Sequence, residues 1–120
     1  MAYDPGNIFA RILRGEIPCK KVYEDAFALA FHDIHPQAPV HVLVIPKGPY
    51  ESMDDFTARA SEAEIAGLFR AVAKVADLTG VAATGWRMLS NIGEHGHQEV
   101  PHLHIHVFGG RPLGRMIGKG

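Results

Sequence analysis

The chain has 120 residues, 47% apolar and 21% charged, with a formal net charge of −1. That balance fits one folded domain over 1–120. It excludes a disordered chain and a basic nucleic-acid-binding surface. Cys19 is the one cysteine, so no intrachain disulfide forms and a reducing, cytoplasmic setting is expected. Residues 1–6 show no signal-peptide pattern, and no apolar run reaches the ~20 residues of a membrane helix, so no membrane partner is expected.

Asp4-Pro5-Gly6-Asn7 is turn-forming, with Asn7 a candidate N-cap. Ile8, Phe9, Ile12 and Leu13 then share a helical face, and Gly15 is placed to end a short helix. Val22–Glu24 and Ala26–Phe31 read as two strands turning around Asp25. Two prolines make 35–39 a loop, and Val40–Ile45 is a β-branched strand closed by Pro46. Ser61 and Glu64 form a capping box before a long helix carrying Ile65, Leu68, Phe69, Val72, Val75, Ala76 and Thr79, with Gly80 at its end. Trp86–Asn91 reads as a strand, Ile92–Gln98 as a Gly- and His-bearing loop, and Val100–Phe108 as a final strand. Strands and helices do not alternate regularly. The expected fold is therefore α+β: a mostly antiparallel five-stranded sheet with one short and one long helix.

The final strand carries the chemistry. His102, His104 and His106 alternate with Leu103, Ile105 and Val107. Period two puts three imidazoles on one face and an apolar row on the other. Two uses fit. A pair such as His102 and His104, or His104 and His106, could ligate a metal with a third ligand from His41, His95, His97 or a carboxylate. All three on one ion is awkward, because the outer α-carbons of an extended strand lie ~13 Å apart. The other use is nucleophilic catalysis at phosphorus by His104. Its neighbours would move protons, since the ordinary His pKa near 6.5 suits both roles.

With those residues in place, the chain resembles the histidine triad (HIT) superfamily. The carriers are Gln98-Glu99-Val100-Pro101-His102-Leu103-His104-Ile105-His106, the central block 31–41 with Val44-Ile45-Pro46-Lys47, the N-terminal Ile8-Phe9 and Gly15-Glu16-Ile17-Pro18, and the ending Gly109-Gly110-Arg111-Pro112-Leu113-Gly114. The ending is similar to the Hint branch of purine nucleoside phosphoramidases rather than to the dinucleoside polyphosphate hydrolases. The resemblance implies a homodimer whose sheets join, an AMP- or GMP-shaped pocket, and P–N bond hydrolysis through a nucleotidylated histidine with no cofactor or metal. His104 would be the nucleophile, His102 and His106 its partners, and His41 a fourth histidine assisting proton movement. Asp33 would hold the ribose hydroxyls, with His32 and Ile34 beside the base and sugar. Phe9, Ile12 and Ile17 would line the purine slot. Asn91, Gln98, Glu99 and Val100 would face the phosphate. Some relatives carry Ser where Glu99 stands, so its backbone N–H would take that role or the leaving-group preference would differ. On charge alone, apart from the resemblance, Arg115 and Lys119 in the tail would favour an anionic or acyl-nucleotide leaving group. The remaining readings are a His-rich metal-binding protein and a non-catalytic nucleotide-binding scaffold dimer.

Overall fold

A computed structural model describes residues 2–117; the expected role of Lys119 lies outside them. Five strands form one antiparallel sheet in the order β1-β2-β3-β5-β4. They are β1 (Lys21–Glu24), β2 (Ala28–His32), β3 (Val40–Pro46), β4 (Arg87–Leu89) and β5 (Ile105–Gly109). The helices are α1 (Ile8–Leu13), α2 (Met53–Arg59) and α3 (Glu62–Leu78), followed by a 3-10 turn at Val81–Ala83. The α+β class and the five-stranded antiparallel sheet are as expected. The helix count is not: α2 is a second short helix. It buries only Phe56 and starts where Asp55 accepts hydrogen bonds from the Glu51 and Ser52 N–H groups, so it shows no helical period.

Alternation along the strands divides the core. Ala28, Ala30, Val42, Val44, Ile105 and Val107 face α3, which presents Leu68, Ala71, Val72, Val75 and Ala76. Each Leu or Val sealed there contributes about 1.5–3 kcal/mol of transfer free energy. The opposite face carries Leu29, Phe31, Leu43 and Ile45 under Phe9 of α1. The Ser61–Glu64 capping box starts α3 as expected, with Glu64 N donating to Ser61 Oγ and Ser61 N to Glu64 Oε1 at 3.1 Å each. Gly109 is required by close approach, because a Cβ there would lie 2.4 Å from Val81 Cγ1.

The histidine segment departs from the expected strand. Backbone pairing begins only at Ile105, so His102 and His104 precede the ladder. Pro101 offers no N–H, Leu103 N donates to Tyr50 O, and Ser90 Oγ donates to the His104 carbonyl at 2.9 Å. Backbone groups that would extend the ladder are thus taken by the chain after β3 and by a side chain. Leu103, Ile105 and Val107 are buried as expected, but His102 and His104 are buried too, because α1 and the N-terminal segment cover their side of the sheet.

Candidate active site

Side chains on the α1 side of the sheet converge on a cavity of about 290 Å³. Period two on β3 puts His41 with Leu43 and Ile45 on that face. The β3–β5 register sets His41 opposite Phe108 and Leu43 opposite His106, which makes His41 and His106 diagonal neighbours. His104 and His106 rings lie 5.0 Å apart, and Phe9 stands edge-on to His104 at 4.9 Å.

The hydrogen bonds fix which nitrogen of each neutral ring carries the proton. Gln37 N–H donates to His41 Nδ1 at 3.1 Å, so His41 holds its proton on Nε2. That Nε2–H points at His106 Nδ1, 2.9 Å away, which makes His106 Nδ1 the acceptor and leaves its proton on Nε2. His106 Nε2 is the one buried side-chain nitrogen or oxygen among the described residues with no partner. His104 donates from Nδ1 to the His102 carbonyl at 2.7 Å. Its Nε2 therefore keeps a lone pair; it is bonded to nothing among the described residues and lies on a ring that lines the cavity. His102 donates from Nε2 to the Pro46 carbonyl at 2.9 Å and accepts at Nδ1 from the Tyr3 hydroxyl at 2.6 Å.

Burial keeps these rings neutral. Desolvation pushes His102 and His106 down to about 4, in His106 with added repulsion from His104 and His41. His104 is also lowered by desolvation, against the opposing pull of the His102 carbonyl, Asp33 and Glu99. His41 is lowered by the same cause, opposed by Asp33, whose Oδ2 lies 3.5 Å from His41 Nε2.

The cavity takes in most of the residues read from the sequence. Phe9, Ile12, Ile17, His32, Asp33, Ile34, Glu99, Val100, His104 and His106 all line it. His102 and His41 stand behind it, each bonded to a ring or carbonyl of the next layer. Asn91 and Gln98 do not line it. Gln98 instead braces the loop, donating to the Glu51 and Val100 carbonyls and accepting from Gly93 N. The Glu99 side chain is largely exposed and pairs with His97, but the Glu99 and Val100 N–H groups donate to no acceptor among the described residues. Arg115 is exposed and does not line the cavity. Sequence reasoning missed Ile8, Pro18, Cys19, Lys20, Phe31 and Leu43 as lining residues. Leu43 was readable from strand alternation with His41, and Phe31 joins it only through the cross-strand register that sets it opposite Leu43.

The residues that could hold a metal are not the pairs expected from the sequence. Asp33, His41 and His106 each bring one ligand atom to within 4.8 Å of the others. The His41 and His106 rings, however, meet end to end: their centroid separation of 5.2 Å is the 2.9 Å nitrogen gap plus roughly one ring radius at each end. The His41 N–H and the His106 lone pair aim at each other rather than at a common point. That geometry shares a proton. A tetrahedral ion would need both nitrogens turned toward it.

Comparison with known proteins gives the family. The family model described as the HIT domain matches residues 14–113. The chain is 73% identical over 118 residues to an uncharacterized 13.2 kDa HIT-like protein of Azospirillum brasilense, covering 98% of this chain and 97% of that protein. It is 44% identical over 111 residues to the purine nucleoside phosphoramidase of Escherichia coli, covering 92% of each. Among solved structures, a histidine triad protein from Clostridium difficile superposes with a TM-score of 0.84 at 41% identity, covering 92% of this chain and 95% of that one. A HIT family hydrolase from Legionella pneumophila gives a TM-score of 0.84 at 40% identity, over 92% and 98%.

Proposed function

The chain belongs to the HIT domain family, and from that premise we propose that it is a purine nucleoside phosphoramidase. In this reading it hydrolyses the P–N bond of a nucleoside 5′-phosphoramidate, or the bond of an aminoacyl-adenylate-like substrate, through a nucleotidyl-histidine. The observation that carries the reading is the direction of the hydrogen bonds. Among the described residues they leave His104 Nε2 as a free lone pair and His106 Nε2–H as a donor without a partner, on adjacent rings of one cavity.

His104 Nε2 attacks the α-phosphorus in line and the P–N bond breaks. The leaving nitrogen takes up a proton that enters from solvent through a water held on His106 Nε2–H, so His106 stays a neutral ring. A second water then attacks phosphorus, the His104–phosphorus bond breaks, and the proton of that water returns to solvent by the same path. The imidazolium formed at His104 is stabilised by its Nδ1–H bond to the His102 carbonyl. The unpaired N–H groups of Glu99 and Val100 supply donors for the non-bridging oxygens. That assigns the phosphate contact to the Glu99 backbone rather than its carboxylate.

Phe9, Ile12 and Ile17 form the apolar slot for an adenine or guanine base. Asp33 is acceptor-only when ionised, which suits the two donors of a ribose diol. His32 and Ile34 flank it. The chemistry needs no cofactor. A homodimer joined along β4 fits the same reading. β4 is an outer strand with an unpaired edge, and Met88 lies opposite buried Val107 where no helix covers it, 41% exposed. No helix of the described residues is long and apolar enough to cross a membrane.

The test is steady-state hydrolysis of adenosine 5′-phosphoramidate followed by AMP release. The wild-type chain turns over, and His104→Ala loses at least about a thousandfold in kcat while still binding AMP. Hydrolysis by His104→Ala at the wild-type rate sinks the proposal.

A further inference from the structure

The N-terminal segment preceding α1 reaches the histidine cluster from outside the stretch that the family model spans. Tyr3 is its agent. The Tyr3 hydroxyl donates to His102 Nδ1 at 2.6 Å, and its ring meets that imidazole edge-on with centroids 5.7 Å apart. The same oxygen accepts from Asn7 Nδ2 at 2.9 Å. Asn7 is buried and fully used: its second amide proton goes to the Asp4 carbonyl at 2.7 Å, and its Oδ1 caps α1 by accepting from Ala10 N at 2.9 Å.

Two lines therefore run from this segment to one ring. The first passes through hydrogen bonds: Asn7 to Tyr3, Tyr3 to His102 Nδ1, and from the His102 carbonyl to His104 Nδ1. His102 is wholly buried, and Tyr3 with the Pro46 carbonyl are its two side-chain partners. Remove the phenol and a buried lone pair is orphaned at the residue whose carbonyl aims His104. The second line passes through packing. Asn7 caps the helix that holds Phe9 edge-on against the His104 ring.

We propose that Tyr3 and Asn7 are positioning residues for His104, holding its Nε2 in line with the phosphorus from a segment that touches neither nucleotide nor reacting atoms. The inference rests on His104 being the nucleophile, and its test keeps the two apart. Two variants probe it. Tyr3→Phe removes only the hydroxyl. Asn7→Asp keeps a cap for Ala10 N but deletes the Nδ2 donor, and its carboxylate draws the Tyr3 proton away from His102.

Rapid-quench single turnover with adenosine 5′-phosphoramidate reads the step. Both variants form the nucleotidyl-enzyme about tenfold more slowly, and their kcat falls with it, as the loss of one buried hydrogen bond implies. KM stays within about twofold, because a positioning loss leaves ground-state binding intact. The double variant is no slower than either single, since both cut one chain. Wild-type rates in Tyr3→Phe overturn the proposal, as does a rise in KM at unchanged kcat. A double variant slowed by the product of the two singles overturns it as well. If the wild-type chain forms no adduct, the functional reading fails, and proton NMR still decides this one. The His104 Nδ1–H resonance, protected from exchange in the wild type, loses protection in Tyr3→Phe; an unchanged resonance overturns the positioning role.

Discussion

His41 Nε2 meets His106 Nδ1 end to end at 2.9 Å, and this single contact decides which nitrogen of His106 carries a proton. The decision is made four residues before His41, by the Gln37 N–H that occupies His41 Nδ1. A backbone amide in a loop thus sets the tautomer of a ring in the cavity, through one intervening histidine.

His41→Ala breaks that relay. His106 Nδ1 loses its donor, and its neutral ring can carry the proton on either nitrogen. A lost buried hydrogen bond of about 1–3 kcal/mol translates to a roughly 10- to 100-fold fall in kcat. KM for adenosine 5′-phosphoramidate changes little, because His41 does not line the cavity. Steady-state kinetics check the split; kcat at the wild-type level contradicts the relay.

Acid destabilises the protein through the same rings. His102 and His106 titrate near 4 when folded against an ordinary value of 6.5. The unfolded chain therefore binds more protons between those values. Stability is complete above pH 6.5 and falls as pH drops toward 4, by on the order of 3 kcal/mol from His102 alone. Urea denaturation at pH 7.5 and at pH 5 shows the lower midpoint at pH 5. Equal midpoints contradict the burial of neutral imidazoles.

Much of the fold was legible in the sequence because its signals are local. The Ser61–Glu64 box and the apolar period after it define α3, and Asn7 and Gly15 bracket α1. α2 was hidden because seven residues around one buried Phe56 carry no period. Alternation placed the histidines and Leu103, Ile105 and Val107 on opposite sides, but it overstated β5. Pairing depends on partners outside the segment, namely Tyr50 and Ser90. Asn91 and Gln98 show the same limit. Gln98 is spent on Glu51, 47 positions away, a contact that no spacing in the chain announces. The Tyr3–His102 bond spans 99 positions and was equally invisible.

The proposed dimer makes its own demand. Met88→Glu places a carboxylate on the uncovered apolar face of β4, where burial against a second copy would cost several kcal/mol. Light scattering coupled to size exclusion finds the wild type at twice the chain mass and the variant at 13.1 kDa. A wild type that elutes as a single chain contradicts joining along β4.

Covalent loading of His104 is the claim on which the rest stands, and intact-mass spectrometry of an acid-quenched reaction reads it directly. Mixed with adenosine 5′-phosphoramidate and stopped early, the wild-type chain gains the mass of one adenylyl group, mapped by fragmentation to His104, and His104→Ala gains none. A wild type that turns over substrate yet never carries the added mass, or carries it on another residue, contradicts the account.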